Sequence, residues 1–167
     1  MAAVMAGDSP PALNASGVSL TLVRKIDPPV VEGEVVQATA IWLRSASQAV
    51  VSYNMVGAPR LGAIDYITSI NQKNPKLSSS IAFSDSDISA VSTDGDWVYA
   101  AEATNDPAYP FPSVLERSQV QGNNLVLQDN ARLALTSFAA TSTMTTNNAV
   151  YATSGTPAKY SRLHRTT

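Results

Sequence analysis

Residues 93–101 read Thr93-Asp94-Gly95-Asp96-Trp97-Val98-Tyr99-Ala100-Ala101. Gly95 can take the positive φ that a tight hairpin turn requires, and aromatic and β-branched residues follow it at once. Just upstream, Ile88-Ser89-Ala90-Val91 supplies a second short apolar run, so residues 88–101 predict two antiparallel strands joined by the turn 93–96. Working outward, the pattern recurs. Ala40-Ile41-Trp42, the polar turn 45–48 and Ala49-Val50-Val51-Ser52-Tyr53 precede it. Ser142-Thr143-Met144, the turn 145–148 and Ala149-Val150-Tyr151-Ala152-Thr153 follow. Aligned by their second strands, Val50, Val98 and Val150 stand 48 and 52 residues apart. A third landmark keeps step: Ile64 lies 34 residues before Val98, and Val114 lies 36 before Val150.

A period near fifty built from about four short strands is what a β-propeller blade requires. Remaining runs fit it. Residues 62–70 (GAIDYITSI) form a further strand stopped by Asn74-Pro75, and 76–83 a weaker one. No stretch of twelve or more residues carries a 3.6-residue apolar period. Residues 131–140 have helical propensity, but Thr136, Thr141 and Thr143 suit strand continuation better. The expected class is all-β.

The residues then resemble a family. Gly62-Ala63-Ile64-Asp65-Tyr66-Ile67, Asn74-Pro75-Lys76-Leu77, Asp87-Ile88 and Asp94-Gly95-Asp96-Trp97-Val98-Tyr99 look like LVIVD-type repeats of bacterial secreted and surface β-propellers. Ser113-Val114-Leu115-Glu116, residues 138–142 and 150–155 continue the likeness, which covers roughly residues 36–155. The resemblance implies antiparallel four-stranded blades in an incomplete ring of about two and a half blades. One blade is expected over 36–84, a second over 87–135 and a partial one over 139–155, within a unit spanning 18–158. Ser19 to Ile26 would be the outer strand of a preceding blade. Residues 1–17 read as a polar leader and 159–167 as a basic tail. The resemblance also implies a secreted or cell-envelope setting, although residues 1–6 are too short and too uncharged for a signal peptide.

Composition removes much chemistry. Of 167 residues none is cysteine and one is histidine, His164, so thiolate chemistry, disulfides and multi-histidine metal sites are excluded. Eleven Lys+Arg against 13 Asp+Glu leave no basic stripe for nucleic acid, and no apolar run reaches the ~18 residues of a membrane helix. Asp85, Asp87, Asp94 and Asp96 form the densest carboxylate cluster. They lack the spacing of a calcium loop and read first as turn residues, which leaves Ca²⁺ there as the one ion kept open. Asp87 opens a strand that would line a propeller's channel, making it a possible channel-facing ligand group. Asp65 and Glu116 occupy matching repeat positions and read as one structural site used twice. Ser92, Ser137 and Ser154 lack a histidine partner apart from His164, and none sits in G-x-S-x-G.

Trp42, Trp97, Tyr53, Tyr99 and Tyr151 recur at hairpin positions and suit packing between blades. The long connection with Asn105, Asp106, Tyr109 and Phe111 is the expected partner-binding loop. No catalytic residue, cofactor or metal site is assigned. The functional expectation is a non-enzymatic propeller repeat module acting as a binding or assembly scaffold, self-associating through exposed blade faces. A viral or cell-envelope coat β-sandwich is the alternative, and a propeller hydrolase using channel carboxylates ranks third.

Overall fold

A computed structural model describes residues 22, 24–55, 57–128, 132–146, 149–155 and 161–166. Among them there is no helix, and all regular structure is antiparallel sheet. A two-stranded ribbon, β1 (Val30–Val31) and β2 (Glu34–Val35), comes first. Its turn places Glu32 and Gly33 at φ 50° and 85°, the double left-handed geometry of a two-residue hairpin loop. The first sheet follows in chain order: β3 (Gln37–Ser45), β4 (Gln48–Asn54), β5 (Gly62–Thr68) and β6 (Lys76–Phe83). The second contains β7 (Ser86–Asp94), β8 (Trp97–Thr104), β9 (Ser113–Gln121) and β10 (Asn124–Leu127), with β11 (Leu133–Ala134) also paired to β9. The third contains β12 (Ala139–Thr146), β13 (Ala149–Gly155) and β14 (Ser161–Thr166).

Apart from β11, each sheet is a meander, because strands that follow one another in the chain pair with one another. Gly95 and Gly122, at φ 57° and 64°, begin two of the two-residue turns, a conformation costly for any residue with a Cβ. The closing pairs of the three leading hairpins are Ser45–Gln48, Asp94–Trp97 and Thr146–Ala149. They make Gln48, Trp97 and Ala149 equivalent. The first repeat is therefore offset by one residue from the alignment of the valines, because Gln48 already belongs to the strand rather than the turn. A bulge falls at the same register in all three hairpins. It lies between Ala38 and Ala40, Ile88 and Ala90, and Ala140 and Ser142, opposite 52–53, 101–102 and 153–154. An extra residue repeated at one register bends each first strand in the same way.

Three apolar layers separate the elements. Between the first and second sheets lie Val50, Ile64, Tyr66, Ile88, Val91 and Val98, with Trp42 packed on them. Between the second and third lie Ala101, Leu115, Leu135, Ala140, Val150 and Ala152. The outer face of the first sheet packs Val51, Tyr53, Leu61 and Ala63 under Val31 and Val36. Strands β4, β5 and β8 are thus buried on both faces, which is why they read as near-continuous apolar runs rather than alternating ones. Burying each Leu- or Ile-sized side chain in these layers contributes ~1.5–3 kcal/mol.

Two expectations change at the ends. Residues 161–166, taken as tail because they lack alternation, form β14 on β13. The third sheet accordingly has three strands where the sequence suggested two. The strand expected over 19–26 falls largely outside the described residues, and its described part, 22 and 24–26, is not strand. The leader 1–17 lies outside them altogether.

Candidate functional site

The shared register places one polar pair at the same point of every sheet. Val51, Ala100 and Ala152 are equivalent, and opposite them stand Asp65, Glu116 and His164. Two residues further along the second strand stand Tyr53, Glu102 and Ser154. The resulting pairs are Tyr53 with Asp65, Glu102 with Glu116, and Ser154 with His164. Five of these six side chains are buried, and His164 is half-buried.

In the middle sheet the pair has grown into an ionic cluster. The fourth strand breaks between β10 and β11, and Arg132 enters at the break where the first sheet has Ser80 opposite Asp65. Its Nε donates to Glu116 Oε2 at 2.6 Å. Its Nη atoms lie 3.3 and 3.4 Å from the Asp85 carboxylate oxygens, 3.4 Å from Asp106 Oδ2 and 3.7 Å from Glu102 Oε2. Ser86 donates to Asp85 at 2.9 Å. Burial opposes the charged form of Asp85, but hydrogen bonds from Arg132 and Ser86 with the Arg132 charge outweigh it, so its pKa lies below the ordinary value. Glu102 goes the other way. It is fully buried, neither oxygen meets a hydrogen-bond donor, and the Glu116 carboxylate lies beside it, so its pKa rises well above the usual carboxylate range. Burial opposes the charge of Arg132, but the hydrogen bonds it donates to Glu116 and Asp85 outweigh that and raise its pKa further.

Two carboxylates with pKa values driven apart have the form of an acid–base pair. Here, however, Arg132 stands between the two carboxylates, and two grooves among the described residues lie elsewhere. One, ≈ 170 Å³, runs between the second and third sheets along Leu115, Leu133, Leu135, Val150 and His164. The other, ≈ 210 Å³, lies on the outer face of the third sheet along Ser142, Met144, Tyr151, Thr153 and Leu163.

The same pair is quieter in the flanking sheets. Burial raises the pKa of Asp65 despite nearby Ser80 and Tyr53, and burial with the Asp65 charge raises that of Tyr53. Ser154 Oγ and His164 Nε2 lie 2.7 Å apart, so Ser154 is the serine that meets the chain's single histidine. This contact matches the position of the other two pairs. A serine that is fully buried has no access for an acyl group, so this is a packed hydrogen bond rather than a nucleophile.

The sequence-expected residues divide. Asp85 and Asp87 stand at one end of β7, and Asp94 and Asp96 at and just beyond the other; at ~3.3 Å per residue the strand keeps them some 25 Å apart, so they form no cluster. Among the described residues no group of three or more His, Cys, Asp or Glu is placed to hold a metal ion. Asp87 is half-buried, 3.8 Å from Arg60 Nε, and burial raises its pKa against that charge. Asp96 pairs with Arg44 across the first two sheets.

The expected partner loop splits as well. Asp106 joins the Arg132 cluster, its Oδ1 accepts from Ala108 N at 2.9 Å, and Asn105 N donates to Asp85 O at 2.7 Å. Tyr109 is half-buried beside this cluster, its own burial raises its pKa, and Phe111 is exposed. Arg132, the organising residue, was missed because it is linked to its partners only across long sequence separations.

The repeat also exposes what its ends lack. Ile64, Leu115 and Leu163 are equivalent, yet they are 1%, 5% and 70% exposed. Val91, Thr143 and Ile41 are equivalent on the opposite faces, at 2%, 5% and 65%. No family model, curated protein or solved structure matches the chain.

Proposed function

We propose that the chain is a non-enzymatic β-propeller-type repeat module, each of its three larger sheets serving as a blade, and that it works as an assembly scaffold. The LVIVD-like repeats, with their secreted or envelope setting, remain the reading we favour. One observation carries it: a position that is buried wherever another sheet follows is 70% exposed on the third sheet at Leu163. Apolar positions built for burial and left open mark an association surface. The absence of a reachable nucleophile at Ser154 and the internal neutralisation of Arg132 support a scaffold over a hydrolase.

Sedimentation of the intact chain over a wide concentration range tests this. The expected result is a discrete assembly that dissociates on dilution. A monomer at every concentration refutes the assembly role, and large uniform particles would replace it with the coat-protein reading.

A further inference from the structure

We infer that the outer face of the third sheet docks on the outer face of the first sheet of a second copy, and that two such junctions close a six-sheet ring from two chains. The inference rests on the blade reading above. Its argument is that the chain already contains the junction twice. Each time, the trailing face of one sheet meets the leading face of the next through the bulged first strands.

At the first junction Trp42 on β3 packs into the layer that holds Val91 on β7. At the second, the equivalent of Trp42 is Ser92 and the equivalent of Val91 is Thr143, and their hydroxyls meet at 3.1 Å. Next to them Thr145 Oγ1 donates to Thr93 O at 2.5 Å. The pairing at this point is thus apolar with apolar, then hydroxyl with hydroxyl. Continuing the series, the trailing residue is Met144, 51% exposed, and the only leading counterpart still open among the described residues is Ile41. Both are apolar, as at the first junction.

The second junction is matched by hydroxyls that would leave Met144 unsuited to a copy of the third sheet's own leading face. A groove already runs beside Met144, Tyr151 and Leu163 to receive a side chain. On the first sheet Val31 and Val36 cover only the β4–β5 part of the leading face, leaving Ile41 and Leu43 on β3 open. The docking therefore runs between β12 and β3 of different copies. With a two-fold axis, Ile41 meets Met144 of the second copy and Met144 meets its Ile41, so both junctions are the same contact. Six blades fall within the range of four to eight that closed rings adopt.

The test uses the full chain with Ile41→Lys and Met144→Glu, each at an exposed site, and Leu163→Glu as a second variant of the same face. Thermal melts confirm folding, and light scattering after size exclusion gives mass. Wild type should show twice the chain mass of 17.6 kDa. Each variant alone should show the single-chain mass. An equimolar mixture of Ile41→Lys with Met144→Glu should regain the doubled mass, because one junction is then wild type and the other pairs Lys with Glu.

A dimer that survives both substitutions overturns this junction while leaving the assembly role standing. Loss with only one of the two variants means a like-with-like contact and also overturns it. Mass that climbs past two chains as concentration rises overturns closure at two copies. A wild type that is always a single chain overturns both proposals.

Discussion

Leu115 in the second sheet and Leu163 in the third hold the same strand position, on the same face, in the same register. One is packed under Leu135 and Val150, and the other stands in solvent. The polar pair changes in parallel. In the middle sheet it is an arginine among four carboxylates, and in the third it is a serine and a histidine. The difference teaches that position in the stack, more than position in the strand, sets what a side chain must do. A leucine on a face that another sheet covers is packed away from water, whereas the same place on the last sheet stands open.

The largest test of that contrast is Arg132→Met. Glu116 is buried, and without Nε its carboxylate has no cation within reach, while Asp85 and Asp106 lose a shared one. Breaking such a buried pair costs ~3–5 kcal/mol. Chemical denaturation should show this loss, and a cost near zero would mean that the cluster is wet and exchangeable. Ser154→Ala, the matching change in the third sheet, removes one hydrogen bond and should cost about 1 kcal/mol.

Next in size is Leu115→Ala, expected to cost ~2–5 kcal/mol because the cavity lies between two sheets that cannot collapse independently. Equilibrium unfolding checks it. Gly62→Ala comes third. A Cβ there would meet Ser86 O at 2.6 Å and Ile88 Cγ1 at 2.7 Å, so the junction between the first two sheets has to open. The second sheet carries Ser113 at the equivalent place, fully buried. Overpacking of this kind costs ~1–3 kcal/mol, read as a lowered melting temperature.

Much of this was legible in advance for a physical reason. Turn residues and β-branched runs act locally, so the hairpin at 88–101 and the near-fifty spacing could be read directly. Equivalence of Asp65 and Glu116 followed from the same spacing. Contacts that depend on folding could not be read. Arg132 reaches Asp85 across 47 residues, and β14 is a strand only because β13 offers an edge to residues without alternation. The four aspartates between 85 and 96 look clustered in sequence, and the extended chain between them pulls them apart. The one-residue offset of the first repeat also hides in composition, since Gln48 is as plausible in a turn as in a strand.

The pH dependence sharpens the comparison further. Glu102 has a folded-state pKa raised by burial and by Glu116. Its contribution is fully present below the ordinary carboxylate value and is lost as pH climbs through the raised one. Glu102→Gln keeps the shape without the ionisation, so the variant should match wild type at about pH 5 and exceed it at about pH 9. Melting curves at the two values decide it, and equal curves at both would mean that folding does not raise the Glu102 pKa. The variant stays acid-sensitive, because Asp85 has a lowered pKa and loses its favourable ionisation as pH falls through it.

The smallest effect belongs to Leu163→Ala, and its size depends on how the chain is assembled. In a single chain this side chain is mostly solvated, so its truncation should change unfolding free energy by no more than ~0.5 kcal/mol, the ordinary range for a surface site. Leu115→Ala at the equivalent position is several times larger under the same conditions. If the third sheet is covered by a second copy, Leu163 acquires the surroundings of Leu115 and the gap should narrow as protein concentration rises. Unfolding of both variants at two widely separated concentrations therefore reads the environment of one strand position twice. A Leu163 cost that stays small at high concentration places that face in solvent even in the assembly. A cost that grows with concentration, while that of Leu115 does not, identifies burial of the end face as the reason.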